Sequence, residues 1–205
     1  MIKSQHRPFY VGFFNIYTKL IFRMHFRKIN FKGEFNDRGL PLLMIGNHFS
    51  WWDGFIANLI NIKILHRKIH VMMLEEQLSG RKFLNRAGAY SIKKGSRSAL
   101  ESLRYSAELL SENINLVVLY PQGEFQSMFL RPVSFGQGVK IIHSYAVKEF
   151  QLIFYVALPE YFSHRRPCLT VYFAEADRGL LQNPWELENE YNRFLESSVN
   201  QKRPE

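Results

Sequence analysis

Cysteine is almost absent from this chain, since Cys168 is the only one among 205 residues. A single cysteine excludes an intrachain disulfide and is consistent with a reducing compartment. There is no Cys/His cluster with zinc-finger spacing, and we expect a helix-to-strand junction between His66 and His70, so we predict no metal site. There is also no G-x-S-x-G segment, which excludes an enzyme serine held in a nucleophile elbow.

Long apolar runs are lacking as well. The most aromatic stretch, residues 8–29, is interrupted too often for a transmembrane span, which needs about 20 mainly apolar residues. It has no small-residue cleavage site of the kind that ends a signal peptide. Aromatic residues followed by Lys19, Arg23 and Arg27 are typical of an interfacial helix that faces anionic headgroups. The alternative is an ordinary amphipathic helix packed on the core.

We therefore predict two regions: residues 1–29 as an amphipathic membrane-interface segment and residues 30–205 as one folded domain. The first region implies a peripheral or monotopic protein at the cytoplasmic face of a membrane. The net charge of +9 also indicates an anionic partner, which could be nucleic acid, a membrane surface or a phosphate-bearing substrate. No motif that reads nucleic acid is present, so we predict no nucleic-acid partner.

Short apolar strands alternate with helices along the chain. This alternation predicts an α/β fold with a mixed, mainly parallel sheet flanked by helices. Pro159 is expected to end a strand, and residues 201–205 are expected to be frayed. The predicted strands are residues 29–35, 42–45, 70–74, 115–120, 152–158 and 169–174. The predicted helices are residues 53–64, 75–87 with a break at 79–80, 98–111, 138–150 and 184–199.

His48 and Asp53 lie just after the strand 42–45, beyond the turn formers Gly46 and Asn47. This edge of an open α/β sheet is where ligands bind. Histidine can be a neutral base near pH 7, and a carboxylate on one ring nitrogen fixes its tautomer. Without an enzyme serine, we expect the pair to activate a hydroxyl of the substrate. The alternative is that His48 caps a helix and Asp53 is a turn residue.

Two further segments follow strand ends. Gly88 to Lys94 ends in cations, and Lys93, Lys94 and Arg97 form a basic cluster before the helix 98–111. The strand 115–120 runs into Tyr120-Pro121-Gln122-Gly123-Glu124-Phe125-Gln126. Taken singly, these segments could be a solvated charge run and a Pro-Gly turn.

Taken in order with Asn47-His48-x4-Asp53, the segments resemble three motifs of the glycerophospholipid acyltransferase superfamily, over about residues 30–175. Members transfer an acyl chain from acyl-CoA or acyl carrier protein to a lipid hydroxyl, without another cofactor. The resemblance implies an acyltransferase domain at residues 30–205, with His48 as general base and Asp53 as its support. Backbone N–H groups near Gly123 or at a helix N-terminus are expected to bind the oxyanion.

The resemblance also implies partners: a lipid acceptor, an acyl thioester donor that could be acyl carrier protein, and an anionic membrane surface. Substrate binding is assigned to residues of the three motifs and to one downstream arginine. These residues are Asn47, Lys93, Lys94, Tyr120, Pro121, Gln122, Gly123, Glu124 and Arg131.

The third motif departs from its usual form, Phe-Pro-Glu-Gly-Thr-Arg. Gln122 replaces Glu, Glu124 replaces Thr and Phe125 replaces Arg, so a cation that commonly holds glycerol phosphate is missing. The departure indicates an acceptor other than plain lysophosphatidic acid: an aminolipid, a glycolipid or a lysophospholipid with a phosphodiester. It also leaves open a pseudoenzyme or a membrane-associated binding protein.

Overall fold

The computed structural model describes residues 1–201, which form one seven-stranded sheet with helices packed on both faces. The strands are β1 Lys28–Lys32, β2 Leu42–Gly46, β3 Lys68–Leu74, β4 Ala89–Ile92, β5 Asn115–Leu119, β6 Gln151–Glu160 and β7 Cys168–Ala176. The α-helices are α1 Pro8–His25, α2 Asp53–Ile60, α3 Glu75–Ser79, α4 Lys82–Asn85, α5 Ser98–Leu109, α6 Gly138–Tyr145 and α7 Pro184–Asn200. A π-helical turn, Asn61–Leu65, extends α2, and a 3-10 helix, Arg178–Gln182, precedes α7.

The strand order is β1-β7-β6-β2-β5-β3-β4. Every neighbouring pair is parallel except β6 with β7. The predicted fold class is therefore confirmed. The expectation of a frayed tail falls almost entirely on residues 202–205, which lie outside the described part of the chain.

Strand β2 lies in the middle of the sheet, between β5 and β6. All five of its residues are buried, because helices cover both faces of a mainly parallel sheet. Leu43 and Ile45 belong to the core formed with α5, α6 and α7, whereas Leu42 and Met44 belong to the core formed with α1 and α2. The carboxyl end of β2, where His48 follows, is thus held from both faces.

Several predicted boundaries are wrong, and strand β1 ends at Lys32, three residues before its predicted end. Pro159 does not end its strand, since β6 continues to Glu160 and Pro159 pairs with Leu169 of β7. Strand β2 ends opposite Tyr155, so Pro159 has a partner strand on one side only. On the open side, the missing N–H of a proline removes no hydrogen bond between strands. Helix α6 ends at Tyr145 and not near residue 150, because Ala146 adopts an extended backbone conformation.

Helix α1 presents two different apolar faces. One packs on the core through Thr18, Ile21 and Phe22. The other carries five large apolar side chains that are each more than half exposed: Phe9, Phe13, Ile16, Leu20 and Met24. Their spacing of three or four residues puts them in one row, here called the α1 stripe. Within residues 1–201, no helix has the length and apolar character needed to cross a bilayer.

Residues 1–7 form a strap along β3 and β4. Ile2 exchanges two hydrogen bonds with Ser91. Ser4 Oγ lies 2.8 Å from Nδ1 of the buried His70, and His6 Nε2 donates to the carbonyl of Ile69 at 2.8 Å. The strap leads directly into α1 and so fixes where that helix starts.

Candidate active site

His48 and Asp53 form a hydrogen-bonded pair at the carboxyl end of β2. The distance from Nδ1 of His48 to Oδ2 of Asp53 is 2.8 Å. The Asp53 side chain is 2% exposed and the His48 side chain 21% exposed. The carboxylate therefore lies beneath the imidazole, and Nε2 is the ring nitrogen left available to a substrate.

Asp53 also organises the loop that carries His48. Its Oδ2 accepts hydrogen bonds from the backbone N–H groups of Phe49 and Ser50, at 2.8 and 3.0 Å. Burial raises the pKa of the Asp53 carboxyl, and the hydrogen bonds from His48, Ser50 and Phe49 oppose that rise. Donors on three residues thus hold the Asp53 carboxyl group in place.

The first residues of the motif fasten β2 to β6. The side-chain amide of Asn47 donates to the carbonyl of Ala157 at 3.1 Å and accepts from its N–H at 3.0 Å. Gly46 is required here, because a Cβ atom would collide with the ring of Tyr155. Asn47, predicted to bind substrate, has its amide engaged by the backbone of β6.

Two aromatic rings flank the His48 imidazole. The Tyr120 ring stacks on it with a centroid distance of 4.5 Å, and the Phe125 ring lies 4.2 Å away at an inclination of 37°. The Tyr120 hydroxyl accepts a hydrogen bond from Tyr155 at 3.0 Å, and burial raises the pKa of Tyr120 well above its usual value. Tyr120 is therefore a neutral wall of the site, while Phe125 is half exposed at its mouth.

Gln122 and Gln126 contact the backbone of His48. Gln122 Oε1 accepts from the His48 N–H at 2.7 Å, and the carbonyl of His48 accepts from the Gln126 N–H at 2.9 Å. The two side chains also meet, with Gln122 Nε2 donating to Gln126 Oε1 at 2.7 Å. Gln126 was not among the predicted site residues, because a spacing of four in a predicted loop carries no signal.

The second motif reaches the third through Lys94, whose ammonium group donates to the carbonyl of Gly123. The Gly123 N–H donates to the carbonyl of Tyr120 at 2.9 Å, so this amide, named as a possible oxyanion donor, is engaged in a turn. Gly123 has φ +73°, a conformation that favours glycine. The geometry brings Lys94 to the same loop as Gln122.

A family model described as Acyltransferase matches residues 28–147, more than half of the chain and the part that carries this site. The chain belongs to the acyltransferase family. No curated protein matches its sequence.

The fold of this acyltransferase is shared with a solved structure, the 1-acyl-sn-glycerophosphate (LPA) acyltransferase PlsC from Thermotoga maritima. The TM-score is 0.64 over 95% of this chain and 81% of that chain, at 13% sequence identity. The prediction that the chain is a member of an acyltransferase family is confirmed by the family model. At this identity the likeness concerns the fold, so the roles of individual residues depend on the site itself.

The candidate site brings together most of the predicted residues but not all of them. His48, Asp53, Tyr120, Pro121, Gln122, Gly123 and Lys94 lie around one loop cluster. Lys93, Glu124 and Arg131 have exposed side chains, and their assignment to substrate binding stays a prediction. A cavity of about 530 Å³ lies at the opposite edge of the sheet, lined by Arg38, His143 and Arg178, away from the His48 chemistry.

Proposed function

We propose that this acyltransferase moves a fatty acyl chain from a thioester donor to a hydroxyl of a lipid, with His48 as the general base. One observation carries the proposal: Nδ1 of His48 is bound to the buried Asp53 at 2.8 Å, which leaves Nε2 to accept a proton. Asp53 fixes the tautomer and stabilises the imidazolium that forms.

The reaction balances with these residues and two substrates. The acceptor oxygen attacks the thioester carbonyl as its proton passes to Nε2 of His48, and a tetrahedral oxyanion forms. Collapse of that intermediate makes the ester, breaks the C–S bond and releases the thiolate, which takes the proton from His48 or from water. The neighbouring Tyr120 ring favours the transient imidazolium, because cations interact favourably with aromatic faces.

The acceptor we propose is not a plain phosphomonoester. Phe125 stands where the superfamily commonly has arginine, and its ring covers the imidazole of His48. Lys94, whose ammonium group reaches this loop, already donates to the carbonyl of Gly123. A site with one lysine and an aromatic cover suits an aminolipid, a glycolipid or a lysophospholipid with a phosphodiester better than a dianion.

The α1 stripe supports a membrane location. Fully burying a large apolar side chain is worth about 1.5–3 kcal/mol, so five partly exposed ones are enough for peripheral binding. Exposed Lys19 and Arg23 on the same helix add attraction to anionic lipids. We propose that the protein lies at the cytoplasmic face of a membrane, as a peripheral or monotopic protein.

The catalytic loop continues this apolar surface. Trp51 is 60% exposed, and its ring lies 4.6 Å from that of Phe55. Phe55 in turn contacts Tyr17 of α1, with a centroid distance of 5.8 Å. Because Trp51 is three residues from His48, a bilayer that contacts α1 would also meet the mouth of the site.

The donor is either acyl-CoA or acyl carrier protein, and no further cofactor is part of the proposal. Both donors present anionic groups, phosphates in the first and an acidic protein surface in the second. The exposed cations Lys93, Arg97 and Arg131 and the nearby Lys94 are suited to either.

The test is an acyl-transfer screen on the full chain in lipid vesicles, with free thiol release as the readout. Each donor is combined with 1-acylglycerol 3-phosphate, a lysophospholipid with a phosphodiester, a lyso-aminolipid and a glycolipid. Acceptor-dependent thiol release that disappears in His48→Ala supports the proposal. No release with any combination would favour a pseudoenzyme or a membrane-associated binding protein.

A further inference from the structure

The backbone of His48 is held by a pair of glutamines from the loop after β5. Strand β2 pairs with β5 up to Ile45 and Leu119, and the chain then turns at Tyr120. Beyond that point no strand in the described part of the chain is available to bind the N–H and the carbonyl of His48. Gln122 Oε1 and the Gln126 N–H fill those two places, at 2.7 and 2.9 Å.

The hydrogen bonds fix the orientation of both amides. The His48 N–H is a donor, so Gln122 must direct its oxygen towards it and its NH₂ group away. That NH₂ group then requires an acceptor, which is Oε1 of Gln126 at 2.7 Å. One donor and one acceptor therefore face each other. The hydrogen bond between the two side chains can form only while at least one of them carries an NH₂ group.

We propose that Gln122 and Gln126 form an amide clamp that positions His48 for proton abstraction, so both are positioning residues of the reaction. The assignment rests on the proposed role of His48 as general base. Asn47, the residue before His48, is bonded to β6 through its side chain. The Asp53 carboxylate binds the N–H groups of Phe49 and Ser50, the two residues after His48. The clamp supplies the remaining contacts, at His48 itself. A misplacement of about 1 Å at a reacting group can lower a rate about 100-fold.

The clamp also explains how glutamine can stand where the superfamily usually has glutamate. A carboxylate at position 122 would still accept from the His48 N–H, and Gln126 could turn its NH₂ group towards it. A carboxylate at position 126 would likewise accept from Gln122. Carboxylates at both positions would face each other without a donor, so the effects of the two substitutions should be strongly non-additive.

The test is a double-mutant cycle in the full chain with the best donor and acceptor. Q122E and Q126E alone should each retain kcat within about threefold of the wild type, whereas the double variant should lose about 100-fold in kcat. KM values should change less than about threefold. The control is Gln77→Leu on α3, an exposed glutamine whose amide makes no hydrogen bond within residues 1–201.

A second readout does not depend on activity. Hydrogen–deuterium exchange at the His48 amide should be at least tenfold faster in Gln122→Leu and in the double variant than in the wild type, and unchanged in Q122E. A double variant with the kcat and exchange rate of the single variants would overturn the clamp. If the wild type released no thiol with any substrate, the proposed function would fail, while the exchange rates would still decide whether the clamp holds His48.

Discussion

The ring centroids of Phe125 and His48 are 4.2 Å apart, so an uncharged side chain borders the proposed base at the position where the motif that this segment resembles has an arginine. Phe125→Arg should raise catalytic efficiency on 1-acylglycerol 3-phosphate relative to a phosphodiester lysophospholipid by about tenfold, or about 1.4 kcal/mol. The physical reason is that a guanidinium can bind a phosphate dianion through two hydrogen bonds.

The matched control is Phe129→Arg, which adds the same charge to a more exposed position of the same loop. The quantity to compare is the ratio of kcat/KM values for the two acceptors with one donor. If the wild type already prefers 1-acylglycerol 3-phosphate by tenfold or more, the acceptor proposal is wrong. Arg131 would then be the next residue to substitute.

Substitutions in the dyad should separate chemistry from folding. His48→Ala should lower kcat by about 3 to 5 powers of ten, since it removes the base and its share of positioning. Asp53→Asn should lose most activity, because the charge that stabilises the imidazolium disappears. Steady-state thiol release measures both effects, and a folded His48→Ala protein that still turned over would refute the mechanism.

Asp53→Asn should also change stability in a predictable direction. An amide oxygen at this position can still accept from the N–H groups of Phe49 and Ser50, so the loop should persist. Burial raises the pKa of Asp53, so the folded protein binds this proton more tightly than the unfolded chain. The Asp53 contribution to stability therefore falls as pH rises from the usual aspartate value through the raised one. In thermal melts, the melting temperature of the Asp53→Asn variant should rise relative to that of the wild type as pH rises across that window. A difference in melting temperature that stays constant with pH would contradict this prediction.

Membrane binding should depend on the α1 stripe. Phe13→Glu combined with Leu20→Glu places two charges in the row and should reduce flotation with anionic liposomes at least tenfold. Ile114→Glu combined with Val147→Glu is the matched control, because both residues are exposed and lie before the amino ends of β5 and β6. Equal flotation of the two variants would count against α1 as the anchor.

Deleting residues 1–28 should likewise make the protein more soluble and reduce its activity on lipid acceptors more than on a short-chain soluble analogue. The structure adds a complication to that experiment. Phe22 and Phe26 are in the core, so the deletion also removes buried side chains. The substitutions on the exposed row test the same idea with the fold intact.

Acid should weaken the attachment of the strap. Burial, together with nearby His6 and Lys68, lowers the pKa of His70 to about 3, and burial lowers the pKa of His6. As pH falls below about 6.5 the unfolded chain takes up these protons first, so His70 should cost up to about 1.4 kcal/mol of stability per pH unit, and His6 should add to the loss in the same direction.

His70→Gln keeps a hydrogen-bonding side chain that cannot titrate, so its stability should fall less steeply with acid. The measurement is urea unfolding of both proteins at several pH values between about 7 and 4, the range over which a histidine of ordinary pKa takes up its proton. Parallel curves would show that His70 does not contribute to the acid sensitivity.

Much of the fold and of the dyad could be predicted because the signals are local. The buried run of β2 and the five-residue spacing of His48 and Asp53 need only neighbouring residues to be interpreted. The amide clamp joins Gln122 to a residue 74 positions away, and no pattern within one segment encodes that contact.

The strap was missed for a similar reason. Residues 1–7 have no apolar periodicity, and their partners Ile69, His70 and Ser91 are far along the chain. Pro159 was misjudged because a proline ends a strand only where its missing N–H would have bonded a neighbour. Whether a neighbour exists depends on where β2 stops, which the sequence of β6 does not contain.

Trp52, which precedes Asp53, packs its ring against Phe22, His25 and Phe26 of α1. The helix that carries the proposed membrane anchor and the turn that carries the dyad are therefore packed directly against each other. An enzyme held this way would meet its acceptor by diffusion in the plane of the bilayer. Its rate would follow the mole fraction of acceptor in the lipid, and adding inert lipid at constant total acceptor would slow it by surface dilution.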